Sequence, residues 1–333
     1  MLILGCSSET LLRNEHLTEA GLVAVLRGKT DFGILSDNGI GLFLSFGGPR
    51  TARSTIRGAR KTHYLPMTYI NSPVNDNIKR WRRIAENPRS ARKIGSTLAE
   101  GLHLAEVIAA KKAPARLVIV RETGAAKEAE AMAQAVCGAT GARLVVVADK
   151  LYDAVCPVEN GTGIMVEVEA RFAERPAHPI AEDALYLDGV QDAGNMGTLI
   201  RTALAAGIRH VAAGSGSAGF WAPKVLRAGM GAHFSAKLYD NVAPEEIHGL
   251  FAGRILAADA RGGLDLFRTP GWETGPTVWM MGAEGPGLSQ RALSVSDERY
   301  LIPIEEACES LNVGAAAAVC LFEQRRRRLL AGD

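Results

Sequence analysis

The chain has 333 residues, 47% of them hydrophobic and 22% charged, with a formal net charge of +2. These values fit a globular protein of about two domains. A nearly balanced charge excludes reading a nucleic-acid partner from bulk electrostatics, so only local clusters can argue for one. The cysteines Cys6, Cys137, Cys156, Cys308 and Cys320 form no CxxC pair and have no histidines at metal spacing. An odd, unpatterned set implies reduced thiols, a cytoplasmic chain and no metal site. Leu2-Ile3-Leu4-Gly5-Cys6 has the outline of a lipoprotein box but lacks a basic lead and a long apolar run. No apolar run approaches the ~20 residues of a membrane span, so no membrane association is expected.

In chain order, residues 1–66 read as an extension whose order the pattern does not establish. Short strands fit Gly33–Leu35 and Gly41–Leu44, and 49–61 carries Arg50, Arg53, Arg57, Arg60 and Lys61 without an acid. Such a run is ordinarily solvated, and it can also meet phosphates. Regular patterning begins near Met67, which we expect to be the ancestral start. Ile78, Trp81 and Ile84 then recur on one helix face. Lys79, Arg80, Arg82, Arg83, Arg89, Arg92 and Lys93 surround that face, with Glu86 the one acid among them. A solvated helix accounts for the cluster as well as RNA does; Lys79, Arg80, Arg83, Arg89 and Arg92 are the candidate RNA contacts. A helix is predicted over 98–110, a strand over 117–120, a helix over 125–136, and strands over 144–147 and 163–168. The alternation makes 67–170 a small α/β domain with a largely parallel sheet.

Residues 171–182 hold Pro176 and Pro179 without periodicity and read as a linker. A second α/β series fills 183–333. Its strands are predicted at 185–187, 210–213, 236–239, 255–258, 278–281 and 300–304, and a long helix at 311–330 closes it. Arg325–Arg328 falls at that helix's C-terminus, where the helix dipole favours cations.

Three stretches place glycines and polar residues directly after buried strands, where α/β domains bind ligands. In the first, Asn195 is placed to cap a helix beginning near Met196, and Arg201 follows among apolar neighbours that suggest a semi-buried position suited to an oxyanion. The second, Gly282-Ala283-Glu284-Gly285-Pro286-Gly287, allows close backbone approach. It lacks the lysine and hydroxyl of a nucleoside-triphosphate loop. In the third, Ile302-Pro303-Ile304 leads to Ser310, placed as N-cap of the last helix, and to Leu311 and Asn312.

Taken together and in this order, the three stretches resemble the TrmH-type ribose methyltransferases of the SPOUT superfamily. Asn195, Gly197 and Arg201 match the first motif of that family; Gly282, Glu284, Gly285 and Gly287 match the second; Ile302, Pro303, Ser310, Leu311 and Asn312 match the third. The resemblance covers roughly 183–330 and extends more weakly over 67–170, which looks like the family's ribosomal-protein-like RNA-binding domain. Ala193 and Gly314 depart from the usual residues at their positions. The resemblance implies an α/β fold with a deep C-terminal trefoil knot, a homodimer built across it, and S-adenosyl-L-methionine as cofactor. It also implies methyl transfer to a ribose 2′-hydroxyl, of rRNA rather than tRNA by analogy with the separate N-terminal domain. Gly282, Gly285, Gly287, Ile302 and Leu311 would hold the cofactor. Arg201 would stabilise developing negative charge, while Asn195, Ser310 and Asn312 orient the ribose and Arg201. Glu284 or a substrate phosphate would take the proton. Two rivals remain. One is a non-catalytic RNA-binding protein of the same fold. The other is a nicotinamide-dependent oxidoreductase, suggested by the GxGxxG at 214–219 with Asp240 beyond it, although Phe220–Pro223 interrupts where a fingerprint helix should run.

Overall fold

The computed structural model describes residues 68–87 and 89–332, together with the backbone of two short strands, β1 (Asp31–Leu35) and β2 (Gly41–Ser45). The chain divides after Met67. In the first unit β1 and β2 pair antiparallel, at the two places where short strands are predicted. The basic run of 49–61 and the order of the remaining extension lie outside the described residues.

The second unit opens with β3 (Thr68–Ile70), α1 (Asp76–Glu86), α2 (Ser90–Ile94), β4 (Ser96–Glu100) and α3 (Leu102–Lys111). It continues with β5 (Ala115–Arg121), α4 (Ala129–Thr140), β6 (Arg143–Val147), α5 (Asp149–Val155) and β7 (Ile164–Glu169). These strands form a five-stranded sheet in the order β3-β6-β5-β7-β4. Two expectations need correction. The segment predicted as one helix over 98–110 is strand β4 followed by helix α3, broken at Gly101, whose φ of 109° an L side chain rarely adopts. The sheet is also mixed, because β4 and β5 both run antiparallel to β7.

Helix α1 buries Ile78, Trp81 and Ile84 on this sheet, as its spacing requires. A buried carboxylate fixes it there. Glu167 of β7 accepts from Arg80 Nε (2.9 Å), Trp81 Nε1 (2.8 Å) and Ser96 Oγ (2.8 Å). These donors hold its carboxyl below the usual range despite burial.

Residues 170–183 carry no helix or strand beyond an isolated bridge at Ile180. They are pinned nonetheless: Ala173 N donates to Leu238 O, and Trp221 Nε1 to Arg171 O. The chain then runs through β8 (Ala184–Asp188), α6 (Ala193–Ala205), β9 (His210–Ala213), α7 (Pro223–Ala228), β10 (Lys237–Asp240) and α8 (Ile247–Leu250). Next come β11 (Arg254–Ala258), β12 (Leu264–Asp265), β13 (Thr277–Gly282), α9 (Gln290–Ser294), β14 (Glu298–Leu301) and α10 (Val313–Ala331). The seven strands form an all-parallel sheet in the order β10-β9-β8-β13-β11-β14-β12. Buried on both faces, its central strands are continuous apolar runs, which is why they are legible without alternation.

Helix α10 is tied to this sheet by polar contacts. Gln324 Oε1 accepts from Trp279 Nε1 (2.6 Å) and Thr277 Oγ1 (3.0 Å). Arg327 donates to the carbonyls of Leu266, Phe267 and Thr269, and Arg328 pairs with Asp183. The arginine run is therefore a clamp on neighbouring loops as well as a complement to the helix dipole. The two sheets meet where Arg92 Nη1 donates to Asp240 Oδ2 at 3.0 Å and where Gly231 packs on Val107.

Candidate active site at the carboxyl edge of the parallel sheet

Because β8, β13, β11 and β14 are parallel neighbours, the loops that follow them emerge on one edge. There they line a cavity of about 370 Å³. Residues 281–287 form one wall, Ile302, Ile304 and 310–313 another, and Ala258–Arg261 a third. A larger cavity of about 450 Å³ lies beside the five-stranded sheet, between Arg121, Tyr152 and Lys224, and holds none of the three sequence motifs. We place the chemistry at the smaller one.

The second motif is a glycine turn built for close packing. Ala283 and Gly287 exchange backbone hydrogen bonds of 3.1 and 2.9 Å, and Gly285 and Gly287 have φ of 81° and 70°. A Cβ on Gly282 would stand 2.2 Å from the Gly287 carbonyl carbon, so no larger residue fits. Asp188, at the end of β8, braces the turn by accepting from Ser289 N at 2.7 Å.

The motifs converge on Asn312. Its Nδ2 donates to Asn195 Oδ1 at 3.1 Å and to Glu284 Oε1 at 3.4 Å, while its Oδ1 accepts from Gly314 N at 2.9 Å. Asn312 is the N-cap of α10. This corrects the expectation that Ser310 caps it; Ser310 is exposed, lines the cavity, and its carbonyl accepts from Cys308 Sγ at 3.2 Å. Helix α6 likewise starts at Ala193 with Asp192 as N-cap, Oδ1 accepting from Asn195 N at 2.7 Å. Asn195 is therefore in the first turn, and with the cap supplied by Asp192 its side chain is left for Asn312.

Arg201 is exposed, not semi-buried, and makes no hydrogen bond or ion pair among the described residues. Its neighbours along the helix face are Thr198 and Ala205, both exposed, whereas the apolar Leu199, Ile200 and Ala203 point inward. It lies a turn and a half beyond Asn195 and is bonded to none of Asn195, Ser310 or Asn312. Gly282, Gly285, Gly287, Ile302 and Leu311 all line the cavity.

The candidate RNA contacts divide. Arg80 is half-buried against Glu167, Lys79 pairs with Asp76 at 3.7 Å, and Arg92 pairs with Asp240 while covering the Phe172 ring at 5.6 Å. Arg83 and Arg89 are exposed. The GxGxxG at 214–219 turns without opening a helix, and α7 starts only at Pro223. Ser217 within it accepts from Gly189 N at 3.1 Å and so braces the loop after β8. Sequence reasoning passed over Asp259 and Arg261, which line the cavity; the Asp-Ala-Arg after β11 was the available signal.

Residues 183–322 match a family model described as the SpoU rRNA Methylase family. The 23S rRNA (guanosine(2553)-2'-O)-methyltransferase RlmP of Bacillus subtilis (strain 168) is 29% identical over 264 residues, 78% of this chain and 100% of that protein. The mitochondrial rRNA methyltransferase 3 of Mus musculus is 30% identical over 209 residues, 48% of this chain and 50% of that protein. Among solved structures, the AdoMet-bound rRNA methyltransferase from Sinorhizobium meliloti is 25% identical and superposes with a TM-score of 0.67, covering 78% of this chain and 98% of that one. The SpoU methyltransferase AviRb from Streptomyces viridochromogenes shares the fold at 22% identity and a TM-score of 0.64, over 77% of this chain and 100% of that one.

Proposed function

From the membership of residues 183–322 in the SpoU rRNA methylase family, we infer that the chain is an S-adenosyl-L-methionine-dependent RNA methyltransferase acting on a ribose 2′-hydroxyl. The single observation that carries the reading is the Asn195–Asn312–Glu284 cluster at the wall of the 370 Å³ cavity.

The residues present fit the cofactor. The turn at 282–287 lines the cavity with three glycines among its six residues, so that backbone can come close to a ligand, and Met281, Ile302, Leu311 and Val313 supply the apolar wall an adenosine needs. When bound, S-adenosylmethionine supplies an electrophilic methyl group on its sulfonium. The protein's work is to hold a ribose hydroxyl in line and help it lose a proton. The Arg201 guanidinium stabilises the oxygen's developing charge or the adjacent phosphate. Asn312, locked between Asn195, Glu284 and the start of α10, fixes the position of Glu284. The proton goes to the Glu284 carboxylate or to the substrate's own phosphate.

We assign 67–170 to RNA binding through Arg83 and Arg89, 171–182 to a linker and 183–333 to the methyltransferase domain. A ribosomal-protein-like character of 67–170 is supported by its small mixed sheet. A trefoil knot is supported by β13 entering between β8 and β11, and by α10 returning to pack on α6. A homodimer is supported by apolar side chains left exposed at and before α10: Ile304, Leu311 and Phe322 at 39%, 37% and 45%. Ribosomal RNA, met in the cytoplasm, is the proposed substrate.

The test is transfer of a labelled methyl from S-adenosylmethionine to rRNA, with nuclease mapping of 2′-O-methyl nucleotides. Arg201→Ala is expected to lose at least about a hundredfold in turnover while binding cofactor normally. Undiminished methylation by that variant would remove the central assignment.

A further inference from the structure

Among the described residues only one cationic side chain lines the cavity, Arg261, and it belongs to none of the three motifs. The sequence Ala258-Asp259-Ala260-Arg261 leaves β11 at the carboxyl edge. Asp259 is almost fully buried. Its Oδ1 accepts from Arg261 N (3.1 Å) and Arg261 Nε (3.0 Å), and its Oδ2 accepts from Arg299 Nη2 (2.5 Å). Arg261 Nη2 donates to the Leu288 carbonyl at 3.1 Å. A Cβ on Gly287 would lie 3.6 Å from that same nitrogen, so the guanidinium lies against the glycine turn.

This arrangement does more than neutralise an acid. One carboxylate faces two guanidinium groups, so a positive charge is left over, and the more exposed arginine faces the cavity. Arg261 uses Nε–H and one Nη2 hydrogen within the fold, which leaves both Nη1 hydrogens and the second Nη2 hydrogen. Adjacent N–H groups in a fixed plane match the two oxygens of a carboxylate. Resting on the cofactor reading above, we propose that Arg261 binds the carboxylate of the cofactor's amino-acid tail, with Asp259 and Arg299 as positioning residues. The tail carries one carboxylate beside an α-ammonium. The carboxylate suits Arg261 and is disfavoured near Glu284, the acidic wall residue without an ion pair among the described residues. A flexible arginine would spend ordering entropy at each binding event; pinning through Asp259 removes most of that cost.

The full chain is titrated calorimetrically with two probes: S-adenosylhomocysteine, which carries the tail, and 5′-methylthioadenosine, which keeps the nucleoside and thioether without it. Arg261→Ala should weaken S-adenosylhomocysteine roughly ten- to a hundredfold, the loss of a charge-assisted pair. Binding of 5′-methylthioadenosine should stay within about twofold. Arg261→Lys should recover part of the loss, because it keeps the charge without the fork. Asp259→Asn should weaken the same probe selectively by a smaller factor, with thermal melts confirming that the variants fold. Parallel weakening of both probes in Arg261→Ala and Arg261→Lys would mean a structural role and overturn the assignment. Unchanged S-adenosylhomocysteine affinity with weakened RNA binding would overturn it in favour of a phosphate contact. Wild-type protein that binds neither probe sinks the cofactor reading itself, a different result from wild-type binding that ignores Arg261.

Discussion

Glu284 and Arg201 stand in different physical situations. Arg201 is exposed and has no hydrogen-bond or ion-pair partner among the described residues, whereas Glu284 is held by Asn312. Glu284→Gln keeps an acceptor for Asn312 Nδ2 and removes the capacity to take a proton. If the carboxylate is the base, kcat/KM falls at least about a hundredfold with cofactor affinity unchanged. A change of only a few fold assigns the proton to the substrate phosphate. Both residues were legible through the motifs, yet the local environment of Arg201 was not. Sequence neighbours at i±1 and i±2 suggested burial, but Arg201 shares its helix face with Thr198 (i−3) and Ala205 (i+4), both exposed. Asn195 is a similar case. Asp192, three residues earlier, satisfies the same helix start, and which of two capping residues wins depends on what else the other side chain can reach.

Packing of α6 shows how an element sets the site. Gly197 lies where α6 crosses α7; a Cβ there would sit 2.6 Å from Ala228 Cβ, Gly229 N and Val225 O. Two of those three are backbone atoms and cannot rotate away. Gly197→Ala is therefore expected to cost about 3 kcal/mol, the upper part of the overpacking range, and to push the Asn195 turn off Asn312. Gly314, where α10 meets α6, differs: its Cβ would meet Thr198 Cγ2 and Asn312 Oδ1 at 3.1 Å, and the threonine is exposed and able to turn. The gain of about 1 kcal/mol in helix propensity offsets that crowding, so Gly314→Ala should change stability by less than about 1 kcal/mol. Urea denaturation of the two variants checks the contrast. Elements were legible where strands are buried apolar runs, as at β8, β11 and β13. The reading failed at β4, whose five residues are all buried and lead with one intervening glycine into α3, so no polar break marks the change. Asp259 with Arg299 was beyond sequence reading for another reason: the partners are 40 residues apart and meet only because β11 and β14 are neighbours.

At the scale of the whole molecule, acid should weaken the fold before its carboxylates titrate. His233 is buried between Trp221 and Gly229, its Nε2 3.0 Å from the Phe220 carbonyl oxygen, and its Nδ1 has no partner among the described residues. Burial lowers its pKa from 6.5 to about 4. Burial also lowers that of His210, with Lys237 acting in the same direction and Glu182 opposing. A depressed folded pKa means that the unfolded chain binds the proton first. The contribution is thus fully present above pH 6.5 and is lost as pH falls toward 4. At pH 5 His233 alone removes about 2 kcal/mol, one and a half pH units at about 1.4 kcal/mol each. Glu167 and Asp259 work in the same direction but at lower pH, since their carboxyls are held below the usual range by the arginines that bind them. The urea midpoint should therefore drop between pH 7 and pH 5. His233→Gln, which cannot titrate, should be less stable at pH 7 yet lose markedly less over the same interval. A variant whose midpoint falls as steeply as the wild type would show that the acid sensitivity resides elsewhere, with His210 the next candidate.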